Sequence, residues 1–269
     1  KVFVPLLLFF NLFFRRKLLH IVIGGFLPAL LKEKQRYLKM ENYFSAVFVQ
    51  TENILNDLQE IGVKNLFILS NPKRLNTRKK EDLRIWNEKK IKVCVFSRLN
   101  EEKGIKYAID AVNLVNKNLG GQFVKIDLYG LIQPGYEEWL ENLIKENSSI
   151  VEYKGIIDFD KTVEYLQQYF ALLFPTYYYG EGFPGNVVDA YNTGLPIIAT
   201  DWLYNKDVIK NGRNGILVPV KNSKAIAEAV LELYNDRNMH LEMAKNCLED
   251  SKQYNPDEVL KEFYLEIEK

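Results

Sequence analysis

Two groups of residues in this sequence have the types and spacing that chemistry on a phosphorylated ligand requires. The first group is a pair of cations, Arg98 and Lys103, in a stretch that follows a short apolar run. Two cations in one loop can neutralise a diphosphate leaving group, whose negative charge grows as a bond breaks. Ordinary surface charge is the competing interpretation, and the pair alone does not decide between the two.

The second group is the segment 181–189, with the sequence Glu-Gly-Phe-Pro-Gly-Asn-Val-Val-Asp. Glycines let the backbone approach a ligand closely, and the exposed amides at a helix start attract phosphate. Glu181 precedes the predicted helix and Asp189 lies about one turn inside it, so both carboxylates can accept hydrogen bonds from hydroxyls. We expect sugar hydroxyls at Glu181 and ribose hydroxyls at Asp189. The alternative is a solvated loop residue and a charge on the helix surface.

Strands and helices that alternate over short connections must position these residues, and they predict an α/β chain with parallel sheets. Residues 73–90 interrupt the alternation, and their dense charge predicts an interdomain linker. Before the linker we predict strands at residues 18–23, 46–51 and 65–69, and helices at 27–42 and 52–61. After it we predict strands at 91–96, 124–129, 150–153, 171–174, 196–200 and 216–218, with helices at 105–116, 136–146, 161–168 and 185–192.

This order of elements predicts two domains of the same kind. Residues 1–72 correspond to the latter part of a Rossmann-like domain that lacks its beginning, and residues 91–250 to a complete one. Residues 251–269 add a C-terminal helix, which we expect to pack back on the first domain. Open parallel sheets bind ligands at the carboxyl ends of their strands, and both groups of candidate residues directly follow strands.

The composition favours a globular protein over several other classes. Hydrophobic residues make up 47% and charged residues 26% of the chain, as in proteins with a sizeable core. A net charge of +1 gives no global field that would favour nucleic acid. Cys94 and Cys247 do not make a disulfide framework, and the apolar surroundings of Cys94 predict a buried free thiol.

The opening run, residues 2–14, is apolar but too short to span a bilayer, and no small-residue cleavage site follows it. We predict a buried helix with Pro5 in its first turn and the cations Arg15, Arg16 and Lys17 at its end. The alternative is a helix that lies on a membrane surface.

Taken together, these motifs resemble the donor half of the GT4 family of retaining glycosyltransferases. The resemblance rests on Arg98 with Lys103, on the segment that begins at Glu181, and on segments 196–202 and 211–215, and it covers about residues 18–222. It implies a GT-B fold, in which two Rossmann-like, doubly wound parallel-sheet domains face a cleft, with the first domain truncated here. The family motif usually ends in Glu, so Asp189 shortens the ribose contact by one methylene.

The resemblance implies transfer of a sugar from a nucleoside diphosphate sugar to a glycan or lipid-linked acceptor, with retention, in cell-surface polysaccharide synthesis. The family works without a metal, so we expect no metal and no cofactor beyond the nucleotide-sugar substrate, and no nucleic-acid partner. We expect a cytoplasmic protein, and a membrane-facing opening helix would add peripheral contact with the inner membrane face.

The resemblance also assigns roles to residues. Arg98, Lys103 and Glu181 would form the catalytic group, with the two cations on the diphosphate and Glu181 on the donor sugar. Gly24 and Gly25 would face the donor phosphates, while His20 inside the strand is expected to be a packing residue. A loop at residues 153–155 would border the base. The complete donor-binding set is Gly24, Gly25, Tyr153, Lys154, Gly155, Gly182, Phe183, Pro184, Gly185, Asn186 and Asp189.

Three alternatives stay open at this stage. Residues 180–185 also fit the dinucleotide pattern G-x-G-x-x-G, with Asp201 further on, which would indicate an NAD(P)-binding oxidoreductase. Against it stand the distance of Gly180 from its strand, the interruption by Pro184 and the late position in the domain. A second alternative is a donor-binding fragment without turnover.

The third alternative concerns residues 158–160, whose Asp-Phe-Asp shape could hold a divalent cation, although Asp160 as a helix N-cap is the simpler interpretation. Tyr177, Tyr178 and Tyr179 could stack on a sugar or pack the loop, and the sequence favours neither.

Overall fold

The computed structural model describes residues 3–74 and 76–268. Lys1, Val2 of the predicted opening helix, Leu75 of the predicted linker and Lys269 of the predicted C-terminal helix lie outside the described residues. The chain separates into two compact units. Unit 1 consists of Lys1–Pro72, Tyr179–Phe183 and Pro256–Lys269, and unit 2 of Lys73–Tyr178 and Pro184–Asn255.

Unit 1 begins with a helix and then alternates. Its elements are α1 (Phe3–Phe14), β1 (Leu19–Ile21), α2 (Phe26–Glu33), α3 (Gln35–Glu41), β2 (Ala46–Val49), α4 (Glu52–Ile61), β3 (Leu66–Ile68) and, from the end of the chain, α12 (Pro256–Glu268). The strands are parallel in the order β1-β2-β3. Helix α12 packs Val259, Leu260 and Phe263 against the apolar cluster around Phe48.

Helix α4 forms where the sequence predicts it, because both of its ends are specified locally. The Thr51 hydroxyl accepts a hydrogen bond from the Ile54 amide at 3.3 Å, which caps the first turn. Gly62 ends the helix with a φ of 97°, a left-handed conformation that glycine adopts without strain. The predicted bounds are therefore confirmed.

Other predictions for unit 1 are wrong. The single helix expected at residues 27–42 is two helices, separated at Lys34, whose φ of −132° is not helical. Ile21 and Ile23 are 44% and 80% exposed, so the run 18–23 is not a buried strand. No described residue of α1 is buried, against the expectation of a buried helix. Among the described residues, no helix has both the length and the apolar character of a membrane span.

Unit 2 is an open parallel sheet covered by helices. Its elements before the loop 179–183 are β4 (Ile91–Phe96), α5 (Ile105–Leu119), β5 (Val124–Tyr129), α6 (Glu137–Glu146), β6 (Val151–Gly155), α7 (Thr162–Leu166) and β7 (Ala171–Phe174). Those after it are α8 (Gly185–Thr193), β8 (Ile197–Thr200), α9 (Asn205–Val208), β9 (Gly215–Val218), α10 (Ser223–Asn235) and α11 (Arg237–Ser251). The strand order is β6-β5-β4-β7-β8-β9.

The predicted strands of this sheet are confirmed, with ends that agree within two residues. Strands β7 and β8 are buried at every residue, as a covered parallel sheet requires, whereas the edge strand β6 exposes Glu152 and Lys154. The predicted N-cap at Asp160 is wrong. A 3₁₀ turn, Phe159–Lys161, precedes α7, so Lys161 and not Asp160 stands at the helix start. Cys94 and Cys247 are buried free thiols, as expected for Cys94.

The linker predicted at residues 73–90 is attached to unit 2 along its length. The Arg78 amide donates to the Asn192 carbonyl at 2.8 Å, and the Thr77 hydroxyl donates to the Asn192 side chain at 2.6 Å. Further along, the Trp86 ring packs edge-on against Phe170. The charge that marked this segment as a linker therefore coexists with specific contacts to α8 and to the start of β7.

Candidate functional site

The loop after β4 carries both predicted phosphate-binding cations. The Asn100 side chain accepts from the Lys103 amide at 3.0 Å and so fixes a 3₁₀ turn, Glu101–Lys103. Gly104 ends this turn at a φ of 73°, and a Cβ there would lie 2.0 Å from the Pro175 carbonyl oxygen. Glycine is required because the loop is pressed against the one that follows β7. Arg98 is exposed, whereas Lys103 is buried.

Hydrogen bonds join the loops that follow β4, β7 and β8. The Tyr177 amide donates to the Glu102 carbonyl at 2.8 Å. The Trp202 indole donates to the Tyr178 carbonyl at 2.8 Å, and the Thr200 hydroxyl donates to the Thr176 carbonyl. These bonds place the carboxyl ends of three strands in one polar cluster, where an open parallel sheet binds its ligands.

The Lys103 ammonium lies over aromatic rings of the same cluster. Its Nζ is 5.0 Å from the centre of the Tyr178 ring and 5.8 Å from that of Phe174. Both distances fall within the range of cation–π attraction. Neither aromatic residue was assigned this contact from the sequence, although a run of tyrosines directly after a predicted strand was a visible signal.

The start of α8 is joined to the end of β4. The Asn186 side-chain amide donates to the Phe96 carbonyl at 2.7 Å, and Phe96 is the last residue of β4. Helix α8 begins at Gly185, with Pro184 before it. The structure therefore brings the predicted phosphate-binding helix start beside the strand whose loop carries Arg98 and Lys103.

Asp189 is buried in an ion pair that the sequence did not predict. Its carboxylate is 2% exposed, and its Oδ2 lies 2.6 Å from the Nζ of Lys73, at the start of the linker. Burial raises the pKa of the Asp189 carboxyl, and the Lys73 ammonium opposes that rise. Among the described residues, Oδ1 of Asp189 is buried and has no hydrogen-bond partner. The ribose contact expected of Asp189 stays a prediction.

In unit 1 the predicted glycines lie against one another. The Gly25 amide donates to the Gly180 carbonyl at 3.2 Å, and a Cβ on Gly182 would lie 2.5 Å from the Gly24 Cα. Gly182 is thus required for backbone packing on the loop after β1. Glu181, between Gly180 and Gly182, is 8% exposed. The donor-binding roles expected of Gly24, Gly25 and Gly182 stay predictions.

Residues 153–155 form the end of β6 and not the predicted loop. The Tyr153 hydroxyl donates to the Gly130 carbonyl at 3.0 Å. Lys154 pairs with Glu152, which raises the pKa of the lysine. The strand ends two residues later than expected, at Gly155, whose carbonyl accepts from the Gly130 amide at 2.8 Å.

The remaining candidates are placed as follows. His20 packs against the Phe44 ring, with Nδ1 2.5 Å from the Glu41 carboxylate. Tyr177 lies beside the Tyr107 ring and under the Lys221 ammonium, and Tyr179 contacts Phe26. Within the part of the chain that the structure describes, no group of three or more His, Cys, Asp or Glu side chains could hold a metal ion.

Comparison with known proteins decides which family these features belong to. Residues 76–250, more than half of the chain, match the family described as glycosyl transferases group 1. The chain belongs to this family. The predicted glycosyltransferase family is confirmed, while the GT4 assignment and retention stay predictions.

Two relatives illustrate how much of a group 1 glycosyltransferase this chain contains. The N,N'-diacetylbacillosaminyl-diphospho-undecaprenol alpha-1,3-N-acetylgalactosaminyltransferase of Campylobacter jejuni is 31% identical over 121 residues, which are 45% of this chain and 31% of the relative. A poly(ribitol-phosphate) alpha-N-acetylglucosaminyltransferase of Staphylococcus aureus is 25% identical over 236 residues, which are 86% of this chain and 46% of the relative. The chain spans less than half the length of either.

A solved structure extends the comparison to the fold. HepE of Anabaena, in complex with UDP and glucose, superimposes with a TM-score of 0.78 at 18% identity, over 96% of this chain and 73% of that one. The predicted GT-B fold is confirmed. The dinucleotide-binding alternative loses its support, because the family is that of a glycosyltransferase and residues 175–179 separate β7 from Gly180.

Proposed function

We propose that this chain is the nucleotide-sugar-binding part of a glycosyltransferase that moves a sugar from a uridine diphosphate sugar to a glycan or lipid-linked acceptor, with retention. The acceptor class follows the Campylobacter and Staphylococcus relatives, and the uridine nucleotide follows the UDP in the Anabaena structure. We place the reaction in cell-surface polysaccharide synthesis on the cytoplasmic side of the membrane.

The observation that carries this proposal is the joining of the β4 loop, which carries Lys103, to the β7 loop and to the start of α8. The β4 loop with Arg98 and Lys103, the β7 loop and the start of α8 are held together by hydrogen bonds of unit 2 alone. Cations on a fixed loop beside a helix start supply the charge and the N–H groups that a diphosphate needs. Positive charge held there stabilises the nucleoside diphosphate as it leaves.

The other predicted roles rest on the sequence motif. We propose that Glu181 holds the donor sugar, Gly24 and Gly25 approach its phosphates, and the end of β6 borders the base. The proposed membrane contact rests on the exposed apolar side chains of α1 and on the cations that follow it, Arg15, Arg16 and Lys17.

A thermal-shift screen with nucleotides, nucleotide-sugars and nicotinamide dinucleotides tests the proposed ligand class. We expect UDP and a UDP-sugar to raise the melting temperature, because a ligand that binds only the folded state stabilises it. A specific rise with a nicotinamide dinucleotide, and none with any nucleoside diphosphate, would overturn the proposal.

A second test addresses turnover, since a donor-binding fragment without activity is the remaining alternative. We expect this chain and a longer chain of the length of its relatives to bind UDP alike. We also expect sugar transfer to depend on Glu181. Transfer by a Glu181→Ala variant at near the wild-type rate would contradict the role of Glu181. Binding by both chains with transfer only by the longer one would identify the present chain as the binding module.

A further inference from the structure

We propose that Tyr178 is a positioning residue that holds the Lys103 ammonium where the donor diphosphate binds. This inference rests on the proposed function. The Tyr178 ring centre is 5.0 Å from Nζ of Lys103, and Phe174 flanks the same ammonium at 5.8 Å. The two rings thus form a cation–π contact with the same ammonium.

Contacts of this kind matter for a lysine because its side chain is flexible and must be ordered when a ligand binds. Its four-carbon stem samples many rotamers, and a ligand contact must otherwise overcome part of that conformational entropy. Lys103 is only 7% exposed, so its stem is already confined, and the Tyr178 and Phe174 rings attract the charge at its end. A cation that is placed before the ligand arrives binds more tightly than one that must be ordered on binding.

Tyr178 can act in this way because its own backbone is fixed on both sides. Its carbonyl accepts from the Trp202 indole at 2.8 Å, and its amide donates to the Thr176 hydroxyl at 3.2 Å. The preceding amide, that of Tyr177, bonds to Glu102 next to Lys103. These bonds therefore fix the position of the Tyr178 ring relative to the loop that carries Lys103.

If the Tyr178 ring positions Lys103, ligands with and without phosphates should respond differently to its removal. Loss of the ring should weaken every ligand that contacts Lys103 through its diphosphate and spare a ligand without phosphates. A tyrosine that merely maintained the loop would affect both ligands equally. The phenol oxygen is not needed for cation–π attraction, so phenylalanine should replace tyrosine.

Calorimetric titration of the chain with UDP and with uridine tests the inference on Tyr178→Leu and Tyr178→Phe. We expect Tyr178→Leu to weaken UDP about threefold to thirtyfold, the range of a cation–π contact, and to leave uridine unchanged. Tyr178→Phe should bind both as the wild type does. Trp202→Phe, which removes the indole donor, should weaken UDP by up to about fivefold and gives a second measurement if Tyr178→Leu does not fold.

The outcomes distinguish a failure of the Tyr178 role from a failure of the proposed donor binding. Wild-type affinity of Tyr178→Leu for UDP, or equal loss of UDP and uridine, would overturn the role of Tyr178 and leave the donor proposal standing. A wild-type chain that binds neither UDP nor uridine would overturn the uridine-donor proposal, and this inference with it.

Discussion

Unit 2 contains two largely buried lysines whose charges are held in different ways. Lys73 places its ammonium 2.6 Å from the Asp189 carboxylate, which is 2% exposed. Lys103 places its ammonium over the rings of Tyr178 and Phe174. Breaking a buried ion pair leaves an uncompensated charge and is strongly destabilising, whereas an aromatic ring confines a cation with a smaller energy. We propose from this contrast that Lys73 serves the fold and Lys103 the ligand.

The largest expected effect is on the ion pair. We predict that Lys73→Met lowers the free energy of unfolding by about 3–5 kcal/mol, because the Asp189 carboxylate stays buried without its cation. Burial already raises the pKa of Asp189, and the variant removes the lysine that opposes the rise. The destabilisation should therefore be greatest at high pH and should lessen as pH falls and the carboxyl binds a proton.

Urea denaturation of Lys73→Met beside Lys106→Met provides the comparison. Lys106 pairs with Asp110 on the exposed face of α5, with its side chain 59% exposed, so its loss should change stability by no more than about 0.5 kcal/mol. Equal stability of the two variants would show that the Lys73–Asp189 pair does not anchor the linker.

A third buried ionisable group, His240, sharpens the comparison because the fold keeps it neutral. Burial lowers its pKa to about 4, against a partly opposing hydrogen bond with the Phe170 carbonyl at 2.7 Å. The folded pKa lies below the unfolded one, so the stability contribution is complete above about pH 6.5 and is lost as pH falls toward about 4.

We predict that protonation of His240 alone lowers the free energy of unfolding by about 1–2 kcal/mol as pH falls from about 7 to about 5. His240→Gln keeps a side-chain donor for the Phe170 carbonyl but does not titrate, so its stability should vary less with pH over this range. Parallel pH dependence of the variant and the wild type, by urea denaturation, would contradict the neutral assignment.

The expected effect of Lys103 on stability is smaller than that of Lys73 or His240. Lys103→Met keeps an apolar stem among the rings and removes the charge, so we predict a change in unfolding free energy below about 1 kcal/mol. Denaturation in urea beside Lys73→Met measures the difference directly. A loss as large as that of Lys73→Met would place Lys103 with the residues that maintain the fold.

Local signals explain how much of the structure could be predicted. Strand β7 is an uninterrupted apolar run, β4 and β5 are mostly apolar, and α4 carries Thr51 before its start and Gly62 after its end. Such features act within a few residues and can be read from the sequence. The break at Lys34 and the 3₁₀ turn before α7 have no comparably strong local signal, and both were missed.

The candidate site divides in the same way. The sequence identified Arg98, Lys103 and the start of α8, because cations and glycines follow strands at recognisable spacings. It could not pair Lys73 with Asp189, since 116 residues separate them and only the folded chain brings them together. The same holds for Trp202 and Tyr178, whose contact depends on β7 and β8 being neighbours.

Calorimetric titration with UDP of the wild type, Lys103→Met and the matched control Lys106→Met tests the central claim most directly. The account predicts that the wild type and Lys106→Met bind UDP alike, and that Lys103→Met binds it about tenfold or more weakly, the value of a charge-assisted contact with phosphate. UDP affinity that is the same in all three proteins would contradict the assignment of Lys103 to the donor diphosphate.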